Sequence, residues 1–359
     1  MKNTLFLITT MIVIILISGC VQETTEEKTK TNDLTTTPTT SIKSTTPKPF
    51  KISLEGYWLG GSGIHGDKIV FHGENSNSDI FMYDTITGKT TQITFDNSNQ
   101  LHPFIYGKKI IWQDERFSPS HYFLYDISTK EEKDLGVEIS GYWRDFFDNI
   151  LAEINYVKPS GETTLYVYNL ETQQSKEIVL EERMYDPKYL QVYNDKIVWS
   201  ARPKDNNPKD NEDIYLYDLS KESLIKITND SSFSHTNPSI FENKIVWSDN
   251  RNGLNNYDIY MYDLSTGKET HVTTQQDTIE KMPFIFDDKV VYIKWKQGER
   301  EKGGYMDVYM YDLSKKTETR ISTDTWDKDY PKIYENKIIW QGWSCDCSEA
   351  DKIIYLYIF

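Results

Sequence analysis

One segment of sequence is written seven times along this chain. The fifth copy contains the strand-like runs Ile245-Val246-Trp247 and Asp258-Ile259-Tyr260-Met261-Tyr262-Asp263, and the second run ends in a turn with Gly267. Its second tyrosine recurs at Tyr83, Tyr125, Tyr168, Tyr217, Tyr262, Tyr311 and Tyr357. The period of about 42 to 49 residues is that of four-stranded propeller blades. The repeat therefore predicts a β-propeller.

Each copy contains four short apolar runs, here called strands a, b, c and d, which are too short for helices. Strand b is continuously apolar, as expected when neighbouring blades cover both faces of the sheet. Its copies end in an aromatic residue at Phe71, Trp112, Trp199, Trp247, Tyr292 and Trp340, whereas the third copy, Ile150-Leu151-Ala152, lacks one. Strand c alternates, and the c-to-d turn uses Gly88 and Gly267, which are free to take positive φ.

The two ends of the repeat array predict how the ring closes. The last copy stops at strand c, Tyr355 to Phe359, while the segment Phe50 to Glu55 before the first copy resembles a d strand. Closing the ring removes exposed sheet edges. We therefore predict an all-β fold: a seven-bladed propeller of four-stranded antiparallel blades at residues 50–359, its last blade closed by the N-terminal strand.

The sequence Trp247-Ser248-Asp249-Asn250-Arg251-Asn252-Gly253, followed by strand c from Asp258 to Asp263, resembles the repeat of the TolB-like propeller family. The resemblance implies four-stranded blades and extends from Phe50 to the C-terminus. Binding proteins, accessory domains of enzymes and some lyases share this repeat. The α/β domain that precedes the propeller in TolB itself has no counterpart here.

The N-terminus carries a targeting signal. A basic Lys2 and an apolar run precede Ile17-Ser18-Gly19-Cys20, which matches the lipobox of prokaryotic lipoproteins. We expect residues 1–19 to be a signal peptide and Cys20 to be lipidated; an uncleaved membrane helix is the alternative. Residues 20–49 are rich in Thr and Pro and have little to bury, so they are expected to form a disordered tether. The propeller would then lie at the extracellular face of the cytoplasmic membrane.

Charge and cysteine usage limit the ligands. With 55 acidic and 40 basic residues the net charge is −15, which argues against nucleic acid and anionic lipid. Cys345-Asp346-Cys347 is at best half of a zinc site, and a local disulfide or two free thiols fit it better. The Asp/Asn loops Asp249 to Gly253 and Asp205 to Asn207 lack the spacing of a complete calcium site. We expect no metal, no cofactor and a monomer.

Loop length distinguishes the two ends of the ring. The a-to-b and c-to-d turns are tight, whereas the b-to-c and d-to-a loops are long and polar and emerge on one face, where binding residues concentrate. We call this end the long-loop face. Its predicted residues include Arg116, Arg202, Arg251 and Trp326, and Trp58 is predicted at the axis. The candidate ligand-binding residues at the face and its axial mouth are His102, Trp143, Arg144, Asp186, His235, Asn237, Met282 and Tyr330.

Catalytic motifs are weak. Gly60-Gly61-Ser62-Gly63-Ile64 fails the nucleophile-elbow pattern at its last position. Some uronate lyases built on TolB-like propellers use His-bound metal and a basic residue at the axial mouth, and the resemblance makes His102, His235 and Arg144 the comparable residues here. Asn229, in Asn229-Asp230-Ser231, is a candidate glycosylation site.

These observations predict a lipid-anchored propeller that binds a protein or carbohydrate partner at the long-loop face without catalysis. Two alternatives stay open: a polysaccharide or oligouronate lyase with its site at the axial mouth, and a structural envelope component without a discrete ligand. A cluster of His and carboxylates at the mouth would favour the enzyme, and a broad aromatic patch would favour the binding module.

Overall fold

Seven four-stranded antiparallel sheets form the propeller. The computed structural model describes residues 48–157, 162–180, 184–203, 211–230, 232–253, 256–296, 298, 305–324, 327–343 and 352–359. The predictions made for the signal peptide, Cys20, most of the tether, Asp205 to Asn207, Trp326, Cys345 and Cys347 lie outside these residues. The part of the chain that the structure describes contains no helix long and apolar enough to cross a membrane.

Each blade follows the predicted order a, b, c, d, with antiparallel neighbours throughout. The strands of blades 1 to 4 are β2 Trp58–His65, β3 Lys68–Glu74, β4 Ser78–Asp84, β5 Lys89–Gln92; β6 Gln100–Tyr106, β7 Lys109–Asp114, β8 His121–Asp126, β9 Glu131–Glu138; β10 Trp143–Phe147, β11 Ile150–Val157, β12 Glu162–Asn169, β13 Gln174–Val179; and β14 Met184–Tyr193, β15 Lys196–Pro203, β16 Asp213–Asp218, β17 Ser223–Lys226. Those of blades 5 to 7 are β18 His235–Phe241, β19 Lys244–Asp249, β20 Asp258–Asp263, β21 Lys268–His271; β22 Thr278–Phe286, β23 Lys289–Lys296, β24 Asp307–Asp312, β25 Thr317–Arg320; and β26 Asp327–Tyr334, β27 Lys337–Trp343, β28 Ile353–Ile358 and β1 Phe50–Ile52.

The predicted closure of the ring is confirmed. β1 pairs antiparallel with β28, with Phe50 opposite Leu356 and Ile52 opposite Ile354, and so supplies the fourth strand of blade 7. Ile52 is buried with Leu356 in the core between blades 7 and 1. The segment that joins the N-terminal part of the chain to the first blade is therefore structural.

The core consists of one apolar cluster at each of the seven interfaces between neighbouring blades. The b-strand tryptophans Trp112, Trp199, Trp247 and Trp340 fill these interfaces and are fully buried. This confirms the assignment of the b strands. In blade 3, which lacks the aromatic residue, the next residue along β11 is the buried Glu153, which accepts a hydrogen bond from the Tyr122 hydroxyl of blade 2 (2.9 Å).

The tight turns behave as predicted. Gly88 and Gly267 take φ of 67° in the c-to-d hairpins. The equivalent residues of other blades are not glycine but adopt the same left-handed conformation, with φ from 49° to 61° at Lys130, Gln173, Glu222 and Lys316. The short turns lie at one end of the ring, and the long loops lie at the other.

Candidate ligand-binding site at the axial mouth

The innermost strand of each blade carries one residue that faces the mouth of the axial channel, seven positions before the first residue of strand b. We call these residues the mouth layer: Gly61, His102, Trp143, Tyr189, Asn237, Met282 and Tyr330. In every blade except blade 3, the mouth-layer residue lies in a β-bulge, where the register with strand b shifts. The bulges turn these side chains out of the regular strand alternation.

The bulges hold side chains in an unfavourable backbone conformation. Six mouth-layer residues have φ between 48° and 56°, and all but Gly61 are non-glycine residues. A left-handed conformation at such residues costs roughly 1 to 2 kcal/mol each and concentrates at functional sites. The same conformation also occurs at non-glycine residues of the tight turns, such as Asp148 and Asn194, so the positive φ marks the bulges and does not by itself distinguish this surface.

Two cavities open at the mouth. The first, of about 410 Å³, lies near blades 1, 2, 3 and 7 and includes His102, Trp143, Arg144, Tyr330 and Lys332 in its walls. The second, of about 210 Å³, shares Trp143, Arg144, Tyr330 and Lys332 and extends to Tyr189, Asn237 and Met282. The structure thus brings six of the candidate residues together: His102, Trp143, Arg144, Asn237, Met282 and Tyr330.

Aromatic and cationic groups dominate the larger cavity. Tyr142 and Tyr330 are exposed (87% and 49%), and the Trp143 ring lies 4.7 Å from that of Tyr189 between centroids. Arg144 donates a hydrogen bond to the Gln113 side chain. Partial desolvation, and then the charge of Arg144, lower the pKa of His102, so its imidazole is neutral near pH 7. The described lining residues of this cavity include Arg144 and Lys332 but no carboxylate.

Asp186 does not occupy the mouth position predicted for it. It lies three residues before Tyr189, in the first of two bulges in β14, and forms ion pairs with Lys188 (2.8 Å) and Arg202 (3.4 Å). Asp186-Pro187 lies near the start of β14 much as His102-Pro103 and Asn237-Pro238 lie in β6 and β18, but the second bulge in β14 moves the mouth position to Tyr189. The constant spacing of seven residues to strand b would have identified Tyr189.

His235 is a buried structural residue and is not brought together with His102. Its Nδ1 lies 2.7 Å from Asp249 Oδ2, and its Nε2 lies 3.1 Å from the Asp230 carbonyl. Burial opposes protonation, but Asp249, the Asp230 carbonyl and Asp213 together outweigh burial, and the pKa of His235 is raised. The ion pair joins the first residue of β18 to the last of β19 and fixes the blade rather than a ligand.

The aspartate-rich loop after β19 is also occupied by internal contacts. Asp249 accepts hydrogen bonds from the Trp247 indole (3.0 Å) and from two nitrogens of Arg251 (3.0 and 2.7 Å). Asp114 and Arg116 repeat the arrangement in blade 2. Both arginines, predicted for the functional face, are therefore bound within their own blades.

Among the residues that the structure describes, no group of three His, Cys, Asp or Glu side chains is placed to hold a metal ion. Asn229 is exposed.

Below the mouth, two residues further along each innermost strand, lies a second ring of residues that links neighbouring blades. We call it the waist layer: Gly63, Phe104, Asp145, Gln191, Ser239, Phe284 and Lys332. The Asp145, Gln191 and Ser239 side chains each accept a hydrogen bond from the next blade, from the backbone N–H of Val192 (2.9 Å), Ile240 (2.6 Å) and Ile285 (3.1 Å). Lys332 Nζ donates to the Ser62 carbonyl of blade 1 (2.7 Å). Polar waist-layer side chains thus connect the blades around the axis.

Solved structures with the same fold have different activities. The propeller domain of the Trilobed protease from Pyrococcus furiosus aligns with a TM-score of 0.67 at 14% identity, over 85% of this chain and 94% of that domain. The Pyrococcus horikoshii acylaminoacyl peptidase aligns at 0.66 and 16% identity, over 84% of this chain and 51% of its own length. An oligogalacturonate lyase from Vibrio parahaemolyticus aligns at 0.61 and 13% identity, over 88% and 94%.

These similarities establish the fold and no more, because the identities are low. The propeller of the Trilobed protease is described as having an open velcro topology, whereas here β1 closes blade 7 on β28. No family model matches this sequence. No curated protein sequence matches it either.

Proposed function

We propose that this protein is a non-catalytic binding module that holds an anionic protein or glycan partner at the axial mouth. The supporting observation is the composition of the larger mouth cavity, in which Trp143, Tyr142 and Tyr330 accompany Arg144 and Lys332, with no carboxylate among the described lining residues. In a chain of net charge −15, such a lining is a local exception. Aromatic rings stack on sugar rings or anchor partner side chains, while the two cations favour carboxylates.

We also propose that the module is attached to the outer face of the cytoplasmic membrane through a lipid on Cys20. The support is the Ile17-Ser18-Gly19-Cys20 lipobox, the Thr/Pro-rich segment that follows it, and the resemblance of the repeats to TolB-like propellers. Diacylation supplies the two chains that stable anchoring requires. Cys20→Ser should release the protein from membranes or stall its processing; intact-mass analysis that shows an unmodified Cys20 in the mature protein would refute lipidation.

A screen with a matched pair of variants tests the binding function. The full-length protein is applied to glycan arrays and used in pull-downs from envelope extracts, in parallel with Arg144→Gln and Arg202→Gln. Both variants remove one arginine charge from the long-loop face, but Arg202 pairs with Asp186 and is not among the lining residues of either mouth cavity. Binding to an acidic ligand should weaken with Arg144→Gln only. Equal loss in both variants would indicate non-specific attraction.

The lyase alternative rests on the neutral His102 beside Arg144 at the mouth, where an imidazole could accept a proton and a guanidinium could hold a carboxylate. Its test is turnover. Unsaturated products released from acidic polysaccharides by the wild type and not by His102→Ala would replace the binding proposal by an enzymatic one. A protein that neither binds nor turns over any envelope component would instead be the structural component.

A further inference from the structure

At its tight-turn end, the axial channel is narrowed by a circle of seven aromatic side chains. The last residue of each innermost strand contributes to what we call the floor layer: His65, Tyr106, Phe147, Tyr193, Phe241, Phe286 and Tyr334. Neighbouring ring centroids lie 4.4 to 5.0 Å apart all the way around, and the interplanar angles of 44° to 57° are close to the blade-to-blade rotation of about 51° in a sevenfold ring. Each floor-layer ring therefore takes the same orientation in its own blade, and the seven together narrow this end of the channel.

A void of about 110 Å³ lies between the waist layer and the floor layer. Its walls are mostly apolar or aromatic, and Phe104 and Lys332 also line both mouth cavities, so the void lies directly below the mouth. A space of this size accommodates several waters or a short aliphatic side chain. Burial lowers the pKa of His65, so its imidazole is neutral near pH 7. Asp145 and Lys332 are then the charged groups among the described lining residues.

Asp145 and Lys332 face this void from blades 3 and 7, on opposite sides of the ring, without meeting. Among the described residues, neither forms an ion pair within 4.0 Å. Each is held by one hydrogen bond to a neighbouring blade, Asp145 from the Val192 N–H and Lys332 to the Ser62 carbonyl. Enclosure in the channel raises the pKa of Asp145 to about 6 and lowers that of Lys332, as expected for charges that are only partly compensated.

We propose that the waist layer and this void together bind a compact zwitterion, a free α-amino acid whose aliphatic side chain enters the void. Its ammonium would pair with Asp145, its carboxylate with Lys332, and its side chain would pack on the floor layer. A zwitterion is favoured over a ligand with a single charge. An anion would leave the negative charge of Asp145 without a partner, and a cation would leave the positive charge of Lys332 without one. This site goes beyond the proposed function: Lys332 also lines both mouth cavities and Asp145 lines the smaller one, but the ligand proposed here is a small molecule, whatever macromolecule binds at the mouth.

Three probes with the same isobutyl group test the proposal by calorimetry on the full-length protein. L-Leucine carries both charges, 4-methylpentanoate lacks the ammonium, and 3-methylbutylamine lacks the carboxylate. We expect L-leucine to bind at least about tenfold more tightly than either analogue, because each loses a charge-assisted contact. Equal binding of leucine and one analogue would overturn the proposal in favour of single-charge recognition. No binding of any probe would show that Asp145 and Lys332 serve only to connect blades.

Conservative variants separate binding from folding. Asp145→Asn keeps an acceptor for the Val192 N–H, and Lys332→Gln keeps a donor for the Ser62 carbonyl. Asp145→Asn should weaken the binding of L-leucine to the affinity that the wild type has for 4-methylpentanoate. Lys332→Gln should weaken it to the affinity that the wild type has for 3-methylbutylamine. Ser239→Ala removes a waist-layer hydrogen bond without changing charge, so it should lower stability and leave the preference for leucine unchanged.

A preference that survives both Asp145→Asn and Lys332→Gln would contradict the assignment. The proposal and the proposed function fail separately: macromolecular capture that depends on Arg144, together with no leucine binding, refutes only the zwitterion site. Leucine binding without capture of any envelope component refutes only the function proposed for the mouth.

Discussion

At the scale of single residues, the buried tryptophans of the b strands differ in whether their indole N–H forms a hydrogen bond. Trp112 and Trp247 donate their indole N–H to an aspartate two residues further on, at 3.0 Å in each case. That aspartate also binds an arginine whose guanidinium lies 4.1 Å from a ring of strand c. The indole nitrogens of Trp199 and Trp340 have no hydrogen-bond acceptor among the described residues. The Trp-x-Asp-x-Arg sequence of blades 2 and 5 is therefore a stabilising device.

This difference predicts unequal costs for one substitution. Trp247→Phe should lower the free energy of unfolding by about 1 to 2 kcal/mol more than Trp199→Phe, because only the first removes a hydrogen bond and leaves buried Asp249 with one donor fewer. Denaturant titration of both variants measures it. Equal losses would mean that the indole hydrogen bond contributes nothing to stability.

Histidine burial predicts a dependence of stability on pH. The ring of His72 packs under Gly60 and Gly61, where an added Cβ would lie 2.6 and 2.8 Å from its nitrogens. Burial, followed by the nearby His102 and Lys352, lowers the pKa of His72 to about 4. Between pH about 6.5 and 4 the unfolded chain therefore binds more protons at this position than the folded chain, and stability falls as the pH falls.

His72→Asn removes that titration. We expect the free energy of unfolding of the wild type to decrease more than that of the variant between pH 7 and pH 5, as measured by denaturant titration at both values. The lowered pKa values of His65 and His102 act in the same direction in both proteins, and the raised pKa values of Asp145, Glu280 and His235 act in the opposite direction in both, so the difference between the two proteins reports His72. An identical decrease in the two proteins would contradict the assignment of a neutral, buried His72.

At the scale of the strand, the sequence was sufficient to predict which strands pair but not where the innermost strands bulge. Strand b could be predicted because continuous burial requires continuous apolar residues, as at Ile245-Val246-Trp247. The mouth positions could be predicted where a single bulge precedes the a-to-b turn, as at His102 and Asn237. The prediction failed at Asp186 because β14 contains a second bulge. The sequence also did not predict that Arg116 and Arg251 are held internally: each pairs with the aspartate two residues before it and with a glutamate of strand d in its own blade.

The closing strand gives a prediction at this scale. Ile52→Ala should lower the free energy of unfolding by about 2 to 4 kcal/mol, since it opens a cavity beside Leu356 and Ile354. Deletion of residues 50–52 should destabilise the whole ring by exposing the edge of β28, whereas deletion of residues 22–46 should be nearly neutral. Thermal unfolding of the three proteins measures this. A deletion of 50–52 that melts with the parent protein would show that the ring does not need this strand.

At the scale of the whole molecule, the two ends of the channel differ in chemistry as well as in loop length. The tight-turn end is closed in by the floor layer, whose rings pack against one another. The opposite end presents partly exposed mouth-layer residues around two cavities whose walls share Arg144 and Lys332, and the wall of the smaller one also contains Asp145. Aromatic rings beside cationic side chains at a concave surface are typical of ligand-binding sites. The asymmetry therefore favours ligand binding at the mouth over a purely structural role.

The most direct test of this account is the affinity of the captured ligand for two double variants of the full-length protein. One combines His102→Ala with Trp143→Ala at the mouth; the other combines Lys89→Ala with Lys268→Ala in exposed c-to-d hairpins of the tight-turn end. We predict that the first double variant binds at least about tenfold more weakly while remaining folded, and that the second binds like the wild type. Unchanged affinity in the mouth variant, or a loss confined to the hairpin variant, would contradict the account.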